Sequence, residues 1–242
     1  LLTGGTLQIS SYDDAIHSNG DVAISGGTIT AQSGDDGFHA DGTAQISGGT
    51  VTVANSYEAL EGANITLAGG TVRLTASDDG VNVNNSGGVL TISGGDIGVI
   101  AGGDGLDSNG TIQMTGGTVT VDGPTDNGTG ALDCDGGFTI SGGLLIASGS
   151  SGMAETPDAN SAQASVQMTY SSTQTAGKTI TLTDTDGNMV AEFTPSKIYS
   201  SVVISAPTLA VGETYTLSGG GAKIVEFKLS STLTYLTESG VT

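Results

Sequence analysis

The chain is poor in cations and in large side chains. It has no Trp, one Cys, four Pro and ten aromatic residues in 242 positions. Five Lys and Arg stand against 25 Asp and Glu, for a net charge of −20. Too few cations are present to neutralise phosphates, which excludes nucleic acid as a partner. The same sign argues against anionic membrane surfaces. No apolar run reaches transmembrane length, which excludes insertion as a helix. A lone Cys134 cannot form an internal disulfide, and its place between Asp133 and Asp135 turns it inward as a small buried side chain.

What is abundant is glycine, 41 residues, and it is periodic. Double glycines stand at Gly4-Gly5, Gly26-Gly27, Gly48-Gly49, Gly69-Gly70, Gly94-Gly95, Gly116-Gly117 and Gly142-Gly143, in steps of 22, 22, 21, 25, 22 and 26 residues. A near-constant period of this size marks a stack of coils, one unit per repeat. Three short alternating segments fill each coil. Counted from the first glycine as zero, offsets 3 and 5 are apolar, as in Val51 and Val53. Offset 12 is large and apolar in every coil, as in Phe38, Leu60 and Leu106. A third segment, such as Ile65-Thr66-Leu67, precedes the next glycine pair. This pattern predicts an all-β chain. Its expected architecture is a parallel β-helix of about seven coils, right-handed by the usual crossover preference. At the usual strand spacing the stack is roughly 34 Å long. The pattern is already running at Leu1, so a leader and further upstream residues are expected to have preceded it.

After Gly149 the glycine rhythm stops. The expected division is 1–150 for the coils and 151–242 for a C-terminal β-rich module that caps the open end. Residues 150–165 are small and polar and are expected to form a loop. Six strand-like runs follow, with a hairpin signal at Asp186-Gly187.

Offset 10 carries Asp14, Asp36, Glu58, Asp79, Asp104 and Asp126; offset 9 carries Asp13, Asp35, Tyr57 and Asp78. Offset 13 carries His17, His39, Glu61, Asn82 and Asp107, with Asp133 displaced by a four-residue insertion. Offset 15 adds Asn19, Asp41, Asn84, Asn109 and a displaced Asp135. In a stack these offsets become columns. Two charges 4.8 Å apart repel by roughly 0.9 kcal/mol in water and roughly 3.5 kcal/mol at the dielectric of a protein surface. Cations between the carboxylates would relieve that repulsion. Oxygen donors from successive coils suit calcium, which takes six to eight of them in flexible geometry. Two His without thiolates do not make a structural zinc site. Asp also suits turns for local reasons, which accounts for one acid per turn but not for a second three residues on.

Segments such as Asp13-Asp14-Ala15-Ile16-His17, Asp35-Asp36-Gly37-Phe38-His39-Ala40-Asp41, Ser56-Tyr57-Glu58-Ala59-Leu60-Glu61-Gly62 and Ser77-Asp78-Asp79-Gly80-Val81-Asn82 resemble a family of secreted bacterial carbohydrate-binding proteins. The stretch Phe193 to Leu217 resembles it more weakly. The family's members are calcium-loaded right-handed parallel β-helices, similar in fold to the family-nine pectate lyases. The resemblance implies several calcium ions, held at Asp13/Asp14, Asp35/Asp36, Glu58/Glu61 and Asp78/Asp79. Asp104, Asp107 and Asp133 depart from the double-Asp pattern and extend the set. It also implies an extracellular protein whose partner is a polysaccharide, either an acidic one such as polygalacturonate or cellulose; a monomer is expected.

Tyr12 and Tyr57 are candidates to stack on a sugar ring, and His17 and His39 are polar neighbours of the acid columns. A lyase would need a base beside the cation. Arg73 is the only basic residue within the coils apart from the two His, and it is unsupported by other groups. Non-catalytic binding is the reading favoured, with a calcium-dependent pectate lyase and an extracellular adhesin or structural module as alternatives. Outward Thr-x-Thr rungs such as Thr28/Thr30 follow from ordinary β-propensity rather than from an ice-binding array.

Overall fold

A computed structural model describes all 242 residues, Leu1–Thr242. It contains strands and no helix, and hence no helix long and apolar enough to cross a membrane. Residues 1–149 wind into a β-solenoid of about seven turns. Equivalent residues of successive coils pair in parallel: Ile29 with Val51, Val51 with Val72, Val72 with Ile97, and Ile97 with Val119. The second segment stacks likewise, Phe38 on Leu60, Leu60 on Val81, Val81 on Leu106, and Leu106 on Leu132. These inward columns form one core cluster of 36 buried residues. Full burial of each Val, Leu or Ile contributes about 1.5–3 kcal/mol. Because the side-chain period is two, burying Phe38 puts His39 outside, and burying Leu106 puts Asp107 outside.

The first five glycine pairs lie inside continuous strands, whereas Gly116-Gly117 and Gly142-Gly143 separate Thr111–Met114 from Thr118–Asp122 and Phe138–Ile140 from Leu144–Gly149. Val22–Gln32 is one strand that passes through Gly26-Gly27, and Phe38–Asn55 and Leu60–Ala76 run on in the same way. The pair bends the strand and shifts its register, for instance between Ile46/Ser47 and Ser47/Thr50. Its two glycines are needed for different reasons. The second has φ between +84° and +96° in all seven pairs. The first lies against the coil below: a Cβ on Gly48 would sit 2.7 Å from Ser25 O, and one on Gly94 2.5 Å from Ala68 O.

Leu144–Gly149, the first strand of the last coil, does not end in an open edge. Tyr199–Ser205 pairs with it antiparallel, and Ser165–Gln174 pairs with Tyr199–Ser205. Leu233–Thr237 then adds in parallel, a strand the sequence reading omits because its exposed Tyr235 and buried Thr234 invert the expected alternation. Ile180–Asp184, Met189–Phe193, Thr214–Gly219 and Ala222–Lys228 form a separate antiparallel sheet. Gly187, at φ +83°, turns the hairpin between the first two. A second core of 19 residues holds Ile146, Val166, Val202 and Ile204 together with Leu182, Leu217 and Phe227. Val203 instead joins the solenoid core.

Residues 150–163 form no strand, as expected of a loop, yet they follow the rim of the last coil. Asp158 N–H donates to Phe138 O at 2.7 Å, and Gln163 N–H donates to Ile140 O at 3.1 Å.

Candidate functional site: the acidic face

The outer face of the second segment carries the column His17, His39, Glu61, Asn82, Asp107 and Asp133, each paired in register with the next. The turn before it carries Asp14, Asp36, Glu58, Asp79 and Asp104. Backbone bonds stack these turns directly: Gly37 N–H donates to Glu58 O at 2.8 Å, Ala59 to Asp79 O at 3.1 Å, and Gly80 to Asp104 O at 2.9 Å. Asp126 does not continue the column. The insertion lifts it into solvent, where its Oδ1 accepts from Gly128 N–H at 2.9 Å. Gly130 takes the sixth place, since Gly105 N–H donates to Gly130 O. The column therefore has five acids, because the insertion displaces this offset just as it displaces Asp133.

Part of the column is local turn chemistry. Asp14 Oδ1 accepts from Asp36 N–H at 3.1 Å, Asp79 Oδ1 from Asp104 N–H at 2.7 Å, and Asp104 Oδ1 from Gly130 N–H at 2.5 Å. Each of these carboxylates ties its coil to the next. Glu58 Oε2 accepts from Asn82 Nδ2 at 2.9 Å, and Glu61 accepts from Asn84 Nδ2.

At the N-terminal end the groups converge further. Three sets bring one ligand atom from each residue within 4.8 Å of the others: Asp13, Asp14 and Asp35; Asp14, His17 and His39; and Asp36, His39 and Glu61. Asp13 and Asp35 are exposed. The residues Glu58, Asp78, Asp79, Asp104, Asp107 and Asp133 share the face but do not form such a set among themselves. The all-oxygen group of Asp13, Asp14 and Asp35 has the donor chemistry of a calcium site. The two His, treated as neighbours in the sequence reading, stand inside the clusters. His39 Nδ1 is 2.9 Å from Asp36 Oδ2 and 2.7 Å from Glu61 Oε2.

Electrostatics mark the same face. Burial, aided by Glu61, pushes Asp36 up to about 7, although His39 opposes the shift. Burial likewise pushes Glu58 up to about 7, Asp79 up to about 6 and Asp107 up to about 7, with neighbouring acids adding to each. For His39, burial lowers the pKa, but the Asp36 hydrogen bond and the charges of Glu61, Asp36 and Asp14 outweigh it, and the net shift is upward. Metal-free, the face holds fewer negative charges than its composition suggests. Because these carboxyl pKa values exceed those of the unfolded chain, near 4, native protein binds more protons between the two ranges. That stabilisation is complete below about pH 4 and is lost as pH rises through about 7. In chelator the melting temperature should therefore be higher at pH 5 than at pH 8, by about 5 °C or more. Scanning calorimetry checks this, and a higher value at pH 8 would contradict it.

Beside the acid cluster lies an open cleft of about 420 Å³ lined by Tyr12, Asp13, Gly34, Asp35 and Tyr57. Tyr12 is 97% exposed and Tyr57 50% exposed. Gly34 lets its coil approach the Tyr12 backbone closely, since a Cβ there would meet Tyr12 O at 2.1 Å. Exposed aromatic faces flanking carboxylates offer both a stacking surface and polar anchors to one ligand.

Arg73 does not join this face. It lies in the rung between Thr52 and Gly98, on the sheet of first segments. Its guanidinium donates to Asp96 Oδ2 at 2.6 Å and to Asp96 O at 2.7 Å. It lines a smaller groove with Ile100, Thr120 and Phe193. Glu155 does join the acids, at the far end of the column. Its Oε2 accepts from Cys134 N–H at 3.1 Å, and burial and then Asp133 raise its pKa. It lies beyond the last glycine pair, so no periodic signal marks it. Cys134 packs against the core, and burial raises its thiol pKa, which disfavours the reactive thiolate.

No curated protein and no solved structure matches the chain. A family model described as carbohydrate-binding domain-containing protein matches residues 1–37 and 35–194. The match takes in every coil and the face just described, most of the 242 residues, and the chain belongs to this carbohydrate-binding family.

Proposed function

We propose that the protein binds acidic polysaccharide in a calcium-dependent, non-catalytic manner outside the cell, with polygalacturonate as the reference ligand. The observation that carries this reading is the cleft in which exposed Tyr12 and Tyr57 flank Asp13 and Asp35, which converge with Asp14. In this reading Asp13, Asp14 and Asp35 hold the ion, and Glu58, Glu61, Asp78, Asp79, Asp104, Asp107 and Asp133 extend the negative face. Bound calcium supplies a positive centre that a uronate carboxylate can coordinate. Without it a chain of charge −20 repels a polyuronate. Tyr12 and Tyr57 supply faces on which a pyranose ring stacks, which orients the sugar beside the carboxylates.

A lyase needs a free base next to the cation. Arg73 is held by Asp96 beyond the glycine bend of Leu60–Ala76, away from the acidic face, which favours binding without cleavage. The test is retention on immobilised polygalacturonate and on cellulose, in calcium and in excess chelator, with absorbance followed for unsaturated uronate. Retention on polygalacturonate that chelator abolishes, with no absorbance change, is expected. Equal retention in chelator would move the ligand off the acidic face and favour an adhesin-like role. Rising absorbance would make the protein a lyase.

A further inference from the structure

The acid column is not chemically uniform. Its offset-13 positions carry oxygen donors from the third coil onward, in Glu61, Asn82, Asp107 and Asp133, but imidazoles in the first two. His17 and His39 pair in register on adjacent parallel strands, and their rings stack with centroids 4.8 Å apart. Each is held by the aspartate three residues before it. His17 Nδ1 is 2.8 Å from Asp14 Oδ2, and His39 Nδ1 is 2.9 Å from Asp36 Oδ2. For His39 the carboxylates on Nδ1 fix the ring and raise the basicity of Nε2, the usual support for a metal-ligating histidine, whereas His17 Nδ1 and Asp14 Oδ2 are close enough to ligate one ion together. His17 Nε2 has no partner, and His39 Nε2 faces the exposed Asp41 carboxylate at 3.3 Å.

Calcium is a hard cation that selects oxygen, and imidazole nitrogen contributes little to it. Two imidazoles with a carboxylate suit borderline divalent metals such as zinc, nickel and copper. Asp14, His17 and His39 each bring a ligand atom within 4.8 Å of the other two. We infer that the first two coils form a second class of metal site, in which His17 and His39 with the Asp14 carboxylate take a divalent transition metal such as zinc. Asp36 and Glu61 position the His39 ring, and Asp41 flanks the open side. The site shares Asp14 with the all-oxygen group but takes its two nitrogen ligands from His17 and His39, so its zinc binding can be read in calcium-free protein without any glycan.

The experiment is calorimetric titration of zinc chloride into calcium-free protein, with the imidazole nitrogen resonances followed in parallel. Zinc should bind and shift the resonances of both His. His17→Gln should weaken binding about tenfold or more. Asp13→Asn/Asp35→Asn, which alters only the all-oxygen group, should leave zinc affinity within about twofold, a loss far smaller than that of a metal ligand. Absence of zinc binding by the calcium-free protein would overturn the inference, as would unchanged affinity in His17→Gln or unshifted imidazole resonances. His39 is embedded between Asp36 and Glu61, so its variant can fail to fold. The His17 side chain is 44% exposed, and its variant decides the question.

Discussion

Gly48→Ala is expected to destabilise the protein by roughly 3 kcal/mol, and Gly4→Ala to be neutral or stabilising by about 0.5 kcal/mol. The two positions are equivalent in sequence, each the first glycine of its pair. They differ in what lies beneath. A Cβ on Gly48 would stand 2.7 Å from Ser25 O and 3.3 Å from Ser25 C, both backbone atoms that cannot rotate away. A Cβ on Gly4 meets nothing within 4 Å. The coils can relieve the clash only by moving apart, which breaks the parallel ladder. The loss should lower the melting temperature by about 6–12 °C for Gly48→Ala. Thermal unfolding of both variants checks it. Equal effects at the two positions would mean that the glycines serve conformation alone and not close stacking.

The second large effect concerns calcium. A ligand at a hundred times its dissociation constant stabilises the native state by about 2.7 kcal/mol per site. Calcium should therefore raise the wild-type melting temperature by about 5–11 °C. Asp13→Asn/Asp35→Asn should remove most of that gain. Both side chains are exposed, so the substitutions leave the core and ladder intact. Asp35 serves the backbone through its carbonyl, which accepts from Tyr57 N–H at 2.8 Å and which Asn retains. Asn keeps one oxygen ligand but gives up the charge that draws the cation. Scanning calorimetry with and without calcium measures the difference. A full calcium response in the variant would relocate the ion to the Asp79, Asp104 and Asp107 stretch.

Much of this was legible from periodicity. A side chain at a fixed offset must stack on its counterpart, so counting from the double glycines placed Phe38 under Leu60 and His39 beside Glu61 without coordinates. Counting failed where the repeat itself was broken. The insertion before Ala131 moved Asp126 out of the column and put Gly130 in. Glu155 entered from a segment with no repeat at all. The continuous strands through the glycine pairs were also hidden, because a double glycine reads as a turn until the coil below is seen to hold it extended. Nor does spacing say where carboxylates converge. Asp14, Asp79 and Asp104 each spend an oxygen on the next coil's N–H, yet only Asp14 converges with two further acids, Asp13 and Asp35.

The most direct test of the account is titration of a galacturonate oligomer into wild type and into Asp13→Asn/Asp35→Asn at one fixed calcium concentration. The account predicts binding by the wild type and none by the variant, with both proteins folded. Equal affinities would contradict it and place the carbohydrate site away from the cleft between Tyr12 and Tyr57.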